Sequence, residues 1–389
     1  MKARVCLLIA AVAIGGCGAS KAFMQKASAW MSEEESLPPL PKLDPAISIE
    51  TLWSERVGEG AGEFYLKLTP VVNESSVFVV DREGEVERIN IENGTTVWNR
   101  EIDRLISTGP GLGDDGQLYL GTTEGEVMAL SAEDGQRRWS TRVSSEVLAA
   151  PRYSQGVVVV RTGDGKLFGL DAASGKRLWV YDRTEPALTL RGAGAPLLSE
   201  ALVVAGFDSG HLVALNLRTG KLSWDTRVVL PSGRSDLERM VDIDSEPQLY
   251  QGVAYIAAYQ GKVAAIELGS GQTLWTRDLS SYAGIGLGEG EIYLTGSDSA
   301  VWALDRFSGD TVWTQKALKG RLSTAPASLG PYLVVGDQEG YLHWLSRSDG
   351  QLLGFVQVDE CRILAPPVTA NGTVIVYSAD GRLAAYRPQ

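Results

Sequence analysis

The chain has 389 residues, with 36 Lys and Arg against 48 Asp and Glu, so its formal net charge at pH 7 is −12. A chain this acidic, with no basic stripe, is a poor candidate for binding nucleic acid or an anionic membrane surface. It contains only two histidines and three cysteines, and these lack the spacings typical of metal sites.

The N-terminus is predicted to be the secretory signal of a lipoprotein. Two basic residues precede an apolar run from Val5 to Ile14, which is too short to span a bilayer. The four residues Ile14-Gly15-Gly16-Cys17 resemble the lipobox of bacterial lipoproteins, which implies removal of residues 1–16 and acylation of Cys17. Gly18 in place of aspartate implies transport to the outer membrane. The alternative is an ordinary secretory signal with an accidental cysteine.

Residues 17–45 are predicted to form the lipidated N-terminus and a flexible linker, because this stretch is polar, irregular and rich in proline near its end. Removal of residues 1–16 takes away two basic residues and no acid, so the charge changes from −12 to −14. With Cys6 in the signal and Cys17 acylated, Cys361 has no partner for an intrachain disulfide. We expect Cys361 to be a small buried residue in a strand.

Residues 46–389 are predicted to be one domain built from a single repeated unit. In the copy from Gly165 to Trp179, two glycines ten residues apart are followed four residues later by a tryptophan. The first positions of successive copies are separated by 41, 40, 45, 51, 38, 41 and 41 residues, and a period of about 40 is the signature of a repeat fold. The other copies are Gly84/Gly94/Trp98, Gly125/Gly135/Trp139, Gly210/Gly220/Trp224, Gly261/Gly271/Trp275, Ser299/Gly309/Trp313, Gly340/Gly350/Gly354 and a truncated copy from Gly381.

Each copy is predicted to contain four short strands. An aliphatic run precedes the first glycine, and the apolar alternation after it, as in Leu167-Phe-Gly-Leu-Asp171, has the period of a strand. In all copies but the sixth, a proline lies 14 or 15 residues before the first position, where it can lead a strand without loss of a ladder bond. Eight four-stranded antiparallel units predict an eight-bladed β-propeller, an all-β fold.

The N-terminal strand is predicted to close the ring. The last copy ends at Arg387 without a tryptophan strand, whereas Thr51–Val57 is a tryptophan strand with no unit before it. Pairing the two completes the eighth blade, with Trp53 in the position that the repeat tryptophans hold elsewhere. The alternative, an open solenoid, leaves two exposed sheet edges and gives Trp53 no role.

No residue is predicted to be catalytic, and no metal or other cofactor is expected. There is no nucleophile elbow, and the glycine-rich segment Gly284–Gly290 precedes a strand, whereas a phosphate-binding loop precedes a helix. His211 is interpreted as a variable surface residue. Tryptophans that recur at the same position of each repeat usually pack between blades. We therefore predict a structural role for Trp53, Trp98, Trp139, Trp179, Trp224, Trp275 and Trp313.

Two unusually long connections predict a partner-binding site. From tryptophan to the next proline the usual spacing is 12 or 13 residues, but Trp179 to Pro196 spans 17 and Trp224 to Pro247 spans 23. Because these connections are of the same class and belong to consecutive blades, they should lie side by side on one face, where binding residues collect. The alternative is variation in loop length at little energetic cost. The connections contain Leu188, Leu190, Arg191, Met240, Asp242 and Asp244.

The repeat is similar to that of pyrroloquinoline-quinone enzymes, but the adjacent cysteine pair of those dehydrogenases is missing. The whole chain resembles the BamB family in its lipobox, linker, eight copies and two local motifs, Leu188–Pro196 and Met240–Asp244. This resemblance implies a non-catalytic outer-membrane lipoprotein, facing the periplasm, that binds the POTRA domains of the barrel subunit BamA and assists folding and insertion of outer-membrane proteins. Nascent outer-membrane proteins are a further possible partner.

Two alternatives stay open beside this resemblance. One is a quinone-dependent periplasmic oxidoreductase, and the other is a periplasmic propeller that binds a different partner. Within the predicted site, the resemblance assigns partner binding to Leu188, Leu190, Arg191, Asp242 and Asp244. Direct contact of Arg191 with the partner has an alternative. Arg191 could form an ion pair with Asp242 or Asp244 and only shape the binding surface.

Overall fold

A computed structural model describes residues 37–183, 194–230, 243 and 245–389. All the regular elements that it describes are β-strands, 32 in number, and none of its described segments is a helix able to cross a membrane. The predicted sites Cys17, Leu188, Leu190, Arg191, Asp242 and Asp244, together with Met240, lie outside the described residues.

The strands form eight antiparallel four-stranded sheets, the blades of a propeller, as predicted. Blades 1 to 4 consist of β2 (Val71–Val72), β3 (Ser76–Val80), β4 (Glu85–Asn90) and β5 (Thr96–Glu101); β6 (Gly111–Leu112), β7 (Gln117–Gly121), β8 (Glu126–Ser131) and β9 (Arg137–Arg142); β10 (Arg152–Ser154), β11 (Val157–Arg161), β12 (Leu167–Asp171) and β13 (Arg177–Tyr181); and β14 (Leu197–Leu198), β15 (Leu202–Gly206), β16 (His211–Asn216) and β17 (Leu222–Arg227).

The second half of the ring has the same plan, except that its last blade takes its fourth strand from the N-terminal part of the chain. Blades 5 to 8 consist of β18 (Gln248–Tyr250), β19 (Val253–Ala257), β20 (Lys262–Glu267) and β21 (Thr273–Asp278); β22 (Ile285–Leu287), β23 (Glu291–Thr295), β24 (Val301–Asp305) and β25 (Thr311–Gln315); β26 (Ala327–Leu329), β27 (Tyr332–Gly336), β28 (Tyr341–Ser346) and β29 (Leu352–Gln357); and β30 (Val368–Ala370), β31 (Thr373–Tyr377), β32 (Arg382–Pro388) and β1 (Ile49–Arg56).

Within each blade the first strand lies innermost, where it contacts the first strands of neighbouring blades. The repeated prolines stand immediately before seven of these inner strands, as at Pro151 before β10. The second and third strands supply the core: β3 and β11 are buried at every residue. The fourth strand is the outer edge, and in β5 it has a single buried residue among exposed ones.

Neighbouring blades are joined by the seven predicted tryptophans. Each indole lies on the second glycine of the next blade, as Trp139 does on Gly175. This glycine has a φ of 71°, and the ring leaves no room for a side chain there, because a Cβ would lie 2.5 Å from it. Each indole N–H also donates to a backbone carbonyl of the next blade, at 2.8–3.2 Å. The acceptors for Trp53, Trp98, Trp139, Trp179, Trp224, Trp275 and Trp313 are Ile91, Ala132, Ala172, Leu217, Leu268, Arg306 and Arg347.

The predicted closure is confirmed. β1 pairs antiparallel with β32 along its length, and Trp53 lies opposite Ala385. The Trp53 ring packs on Gly94 of blade 1, and its N–H donates to Ile91 at 2.9 Å. The junction between blades 8 and 1 therefore uses the same contacts as the junctions inside the chain.

Blade 7 departs from the common pattern by exchanging a large and a small residue. Elsewhere the tryptophan of the fourth strand usually pairs with alanine or glycine in the third, as Trp313 does with Ala303. In blade 7 the third strand carries Trp344, fully buried, and the fourth carries Gly354 opposite it. The space beside Gly354 is filled by the side chains of Ile47 and Ile49.

Candidate partner-binding face

The ring has two faces, and the long connections belong to one of them. Because the four strands of a blade alternate in direction, the connection from the outer strand to the next blade and the turn between the second and third strands lie at the same end. Hydrogen bonds between them confirm this: the amides of Val143, Val228 and Val358 donate to turn glycines of their own blades at 2.8–2.9 Å. We call this the connection face, and the opposite one, with the turns between third and fourth strands, the turn face.

The described ends of the two long connections touch each other. Gly194, near the end of the first, approaches the second so closely that an added Cβ would lie 2.5 Å from the carbonyl oxygen of Ser245. The hydroxyl of Ser245 donates to the carbonyl of Ala257 and accepts from its amide, which fixes this end to β19. These contacts agree with the prediction that connections of consecutive blades run side by side.

The second connection is also anchored to blade 4 through Ile243. This side chain is buried and packs on Gly206, where a Cβ would lie 2.3 Å from the Ile243 Cγ2 atom. Glu246, three residues further, forms an ion pair with Arg152 of blade 3. At the start of the same connection, Leu230 is 66% exposed. The described ends of the second connection thus combine an exposed apolar residue with backbone that is fixed to the blades.

A polar cluster joins blades 3 and 4 at the start of both long connections. Arg183 lies just beyond the end of β13, and it donates a hydrogen bond of 2.8 Å to Asp225 on β17. The other carboxylate oxygen of Asp225 lies 2.6 Å from Nδ1 of His211, and Arg227 donates to Nε2 of His211 at 3.0 Å. Partial burial opposes the charge of Asp225, but the bonds from His211 and Arg183 outweigh it and hold its pKa below the usual range. The interpretation of His211 as a variable surface residue holds only in part: its side chain is 15% exposed, and Asp225 and Arg227, both on β17 of the same blade, contact it.

A buried ion pair lies at the same junction. Arg161 at the end of β11 contacts Asp208 at 3.2 Å and donates to the carbonyl of Gly206 at 2.7 Å, with both charged side chains at least nine-tenths buried. Its guanidinium also stands 5.3 Å from the ring centre of Phe207. The turn between β15 and β16 is thereby fixed to blade 3, which strengthens the support of the two connections.

A third long connection on this face was missed by the sequence analysis. Trp53 is separated from Pro70 by 17 residues, as Trp179 is from Pro196, and this spacing is the signal that could have found it. The connection carries Phe64, 50% exposed, and Tyr65, 73% exposed. Arg82 stacks on the Phe64 ring at 3.7 Å.

Away from the long connections, the acidic and histidine side chains of the described chain are paired in structural contacts or dispersed. Among the described residues there is no group of three or more His, Cys, Asp and Glu able to hold a metal ion. His343 is fully buried against Asp337 at 2.7 Å, and Arg321 contacts the same carboxylate at 2.7 Å. Burial opposes the charge of Asp337, but these bonds outweigh it and lower its pKa.

The prediction for Cys361 was partly wrong: it lies half-buried in a bend after β29, because the strand ends at Gln357.

The chain matches the family model described as outer membrane protein assembly factor BamB over residues 82–315 and 308–389. The chain belongs to the BamB family. The family's proteins from Yersinia pestis and Bordetella pertussis are 33% and 36% identical to it; the alignments cover 99% and 98% of this chain and 100% and 96% of theirs. The crystal structure of BamB from Moraxella catarrhalis, 28% identical, superposes with a TM-score of 0.79 over 87% of this chain and all of that one.

Quinone enzymes share the fold alone. A quinohemoprotein alcohol dehydrogenase from Pseudomonas putida superposes with a TM-score of 0.71 over 90% of this chain and 78% of its own, at 14% identity. Membership of the BamB family, whose relatives are named as assembly factors, supports the prediction that this chain is not an enzyme.

Proposed function

We propose that this protein is a scaffold of the machinery that assembles β-barrel proteins in the outer membrane, and that it binds the POTRA domains of the barrel subunit BamA. Membership of the BamB family supports the role in outer-membrane protein assembly. The contact with BamA is a more specific proposal than the role in assembly. In this proposal the propeller is a rigid, non-catalytic platform that holds the barrel subunit and assists insertion of its substrates, and nascent outer-membrane proteins are a further partner.

The observation that carries the contact site is the junction of the two long connections. Their described ends meet where Gly194 approaches Ser245, and Leu230, at the start of the second connection, is exposed. A rigid sheet that presents two adjacent segments is the usual way in which loops form a binding site. We therefore propose that the partner contacts are Leu188, Leu190, Arg191, Asp242 and Asp244.

The apolar anchors and charges in this set suit a protein partner. Apolar side chains form the desolvated centre of an interface, and arginine is enriched among residues whose truncation costs most affinity. We expect Leu190→Glu and Arg191→Ala in the full chain to weaken binding to purified POTRA domains by about tenfold or more, since such contacts contribute on the order of 1–2 kcal/mol. Calorimetry on the full chain in detergent measures this directly.

A matched control is available on the turn face. Phe307, 73% exposed, lies in the turn between β24 and β25, so Phe307→Glu places the same charge far from the proposed site. We expect it to bind as the wild type does. Equal binding by Leu190→Glu would move the site elsewhere, and failure of the wild type to bind any POTRA domain would overturn the choice of partner.

We further propose the division of the chain and its attachment. Residues 1–16 would be the signal peptide, 17–45 the lipidated N-terminus and linker, and 46–389 the propeller, held on the periplasmic side of the outer membrane by acyl chains on Cys17. Several chains on one residue give the stable anchoring that a single chain does not. Cys17→Ala should abolish fatty-acid labelling and release the protein from the outer membrane; full labelling of that variant would contradict the lipobox assignment.

A further inference from the structure

A basic surface lies on the outer edge of blades 2 and 3. The outer strands β9 and β13, together with the residue before β13, carry exposed basic side chains and no acid. These side chains are Arg137, Arg138, Arg142, Lys176 and Arg177, and we call them the basic edge. Among the described residues, no ion pair involves any of the five. This edge therefore offers positive charge to a partner, although the net charge of the chain is −12.

Folding brings the two groups of cations together. The Trp139 ring of β9 lies on Gly175, in the turn that leads into β13. Its N–H donates to the carbonyl of Ala172, and the Thr141 hydroxyl donates to the carbonyl of Gly175 at 2.6 Å. The cations that flank these contacts thus share one surface. The sequence analysis found no basic stripe because the two groups belong to different repeats.

The outer strands of the other blades have a different charge pattern. Four of them contain acids: Glu101 in β5, Asp225 in β17, Asp278 in β21, and Glu50 and Glu55 in β1. The remaining two, β25 and β29, contain no charged residue. Charged side chains on an edge strand deter pairing with other chains. The uncharged strands show, however, that the fold itself does not require cations at this position.

The basic edge also carries apolar side chains and leads to the proposed partner site. Leu178 and Val180 of β13 are exposed and, being two residues apart, point to the same side of the sheet. The five residues of β13 span about 17 Å from the turn face to the connection face. The chain then continues through residues 181–183 into the first long connection. A partner that approaches the described end of that connection therefore does so beside this edge.

We propose that the basic edge attracts an acidic surface of the partner and guides it to the two long connections. This inference rests on the function proposed above. Because the edge is basic, the partner surface that complements it is acidic. Exposed charges of this kind raise the rate of association more than the final affinity, since they act before the two surfaces are in contact. Salt weakens them, because charges more than about 8–10 Å apart are largely screened at physiological ionic strength.

An anionic lipid surface is the other ligand that exposed cations could attract. The described N-terminal segment, however, contacts the opposite part of the ring. Leu43 packs against the apolar cluster that contains Trp313 of blade 6, and Ile47 lies beside Gly354 of blade 7. The tether proposed to hold the chain at the membrane thus joins the propeller half of the ring away from blades 2 and 3. This placement favours a protein partner for the basic edge.

The test measures association of purified POTRA domains with the full chain in detergent, by surface plasmon resonance, at about 25 mM and about 500 mM salt. We expect the association rate of the wild type to fall by about tenfold or more over this range. Arg177→Glu should lower the rate at low salt by about three- to tenfold and weaken its salt dependence, with little change in the dissociation rate. Arg177→Lys keeps the charge and should behave like the wild type.

Lys316→Glu is the matched control. Lys316 is exposed directly after β25, in blade 6, on the opposite part of the ring. Its replacement changes the net charge as much as Arg177→Glu does, so an effect of net charge alone would appear in both variants. We expect the association rate of Lys316→Glu and its salt dependence to match those of the wild type.

The outcomes separate the two proposals. An unchanged association rate in Arg177→Glu, or an equal loss in Lys316→Glu, would overturn the role of the basic edge and leave the proposed function standing. Binding of the wild type, but not of Arg177→Glu, to vesicles that contain phosphatidylglycerol would assign the edge to the membrane and overturn this inference as well. No association of the wild type with POTRA domains at either salt concentration would overturn the choice of partner and, with it, this inference.

Discussion

At the scale of single residues, the repeat tryptophans explain why the blades hold together. Phenylalanine could fill much of the same space, but only an indole also reaches a carbonyl of the next blade with an N–H donor. The receiving glycine has a positive φ and leaves the ring in direct contact with backbone. Each of the seven tryptophan junctions thus combines one large residue and one glycine, at fixed repeat positions some 40 residues apart in the chain.

Trp53 tests whether the closing junction is equivalent to the others. Trp53→Ala should lower the free energy of unfolding by about 3–5 kcal/mol, as expected for removal of a buried tryptophan. Trp53→Phe should cost only about 1 kcal/mol, because it chiefly loses the hydrogen bond to Ile91. Chemical denaturation measures both, with Trp139→Ala as the reference inside the ring. A midpoint unmoved by Trp53→Ala would contradict closure through this residue.

The repeat predicted where single residues lie but not which partners they find. His211 and Glu126 occupy the same repeat position, yet one joins Asp225 and Arg227 and the other Arg104. These partners come from a strand or blade brought alongside by folding, so their identity is absent from the local pattern. For the same reason the sequence could not show that His343 is buried against an acid.

At the scale of elements, blade 7 shows that the junction depends on volume rather than on the position of one residue type. The exchange of Trp344 and Gly354 between adjacent strands keeps one large and one small residue in the pair. The start of β1 and the residues before it contribute the rest: Ile47 and Ile49 fill the site, and the amide of Ala46 donates to the carbonyl of Leu353 at 2.8 Å. The apparent defect in the seventh repeat therefore accompanies an extra contact of the N-terminal segment.

Reversing this exchange gives a second stability test. Trp344→Ala should cost about 3–5 kcal/mol by leaving a cavity, and Gly354→Trp should destabilise the fold because its indole would collide with Ile49. The double variant restores the common pairing, so it should be more stable than the sum of the two single changes predicts. Additive effects in a double-mutant cycle would contradict the exchange as the reason for the pattern.

At the scale of the whole molecule, the eight-bladed fold and its closure could be predicted because most copies repeat the same glycine, proline and tryptophan positions and the exceptions keep the spacing. The location of the candidate face was predictable in part, since connection length marks where chain is added to a common frame. The third long connection, with Phe64 and Tyr65, carries the same signal in the 17 residues from Trp53 to Pro70, but it follows the strand that closes the ring and so lies outside the regular run of copies. The contacts between Gly194 and Ser245 could not be predicted, because they depend on how two blades meet.

The central claim is that the connection face, at the two long segments, contacts BamA. The most direct measurement replaces Leu190 by a photo-crosslinking amino acid in the full chain and identifies the products in outer membranes. We predict a crosslink to the POTRA domains of BamA from position 190 and none from the same amino acid at position 307, on the turn face. Crosslinks to BamA from 307 and not from 190 would contradict the account.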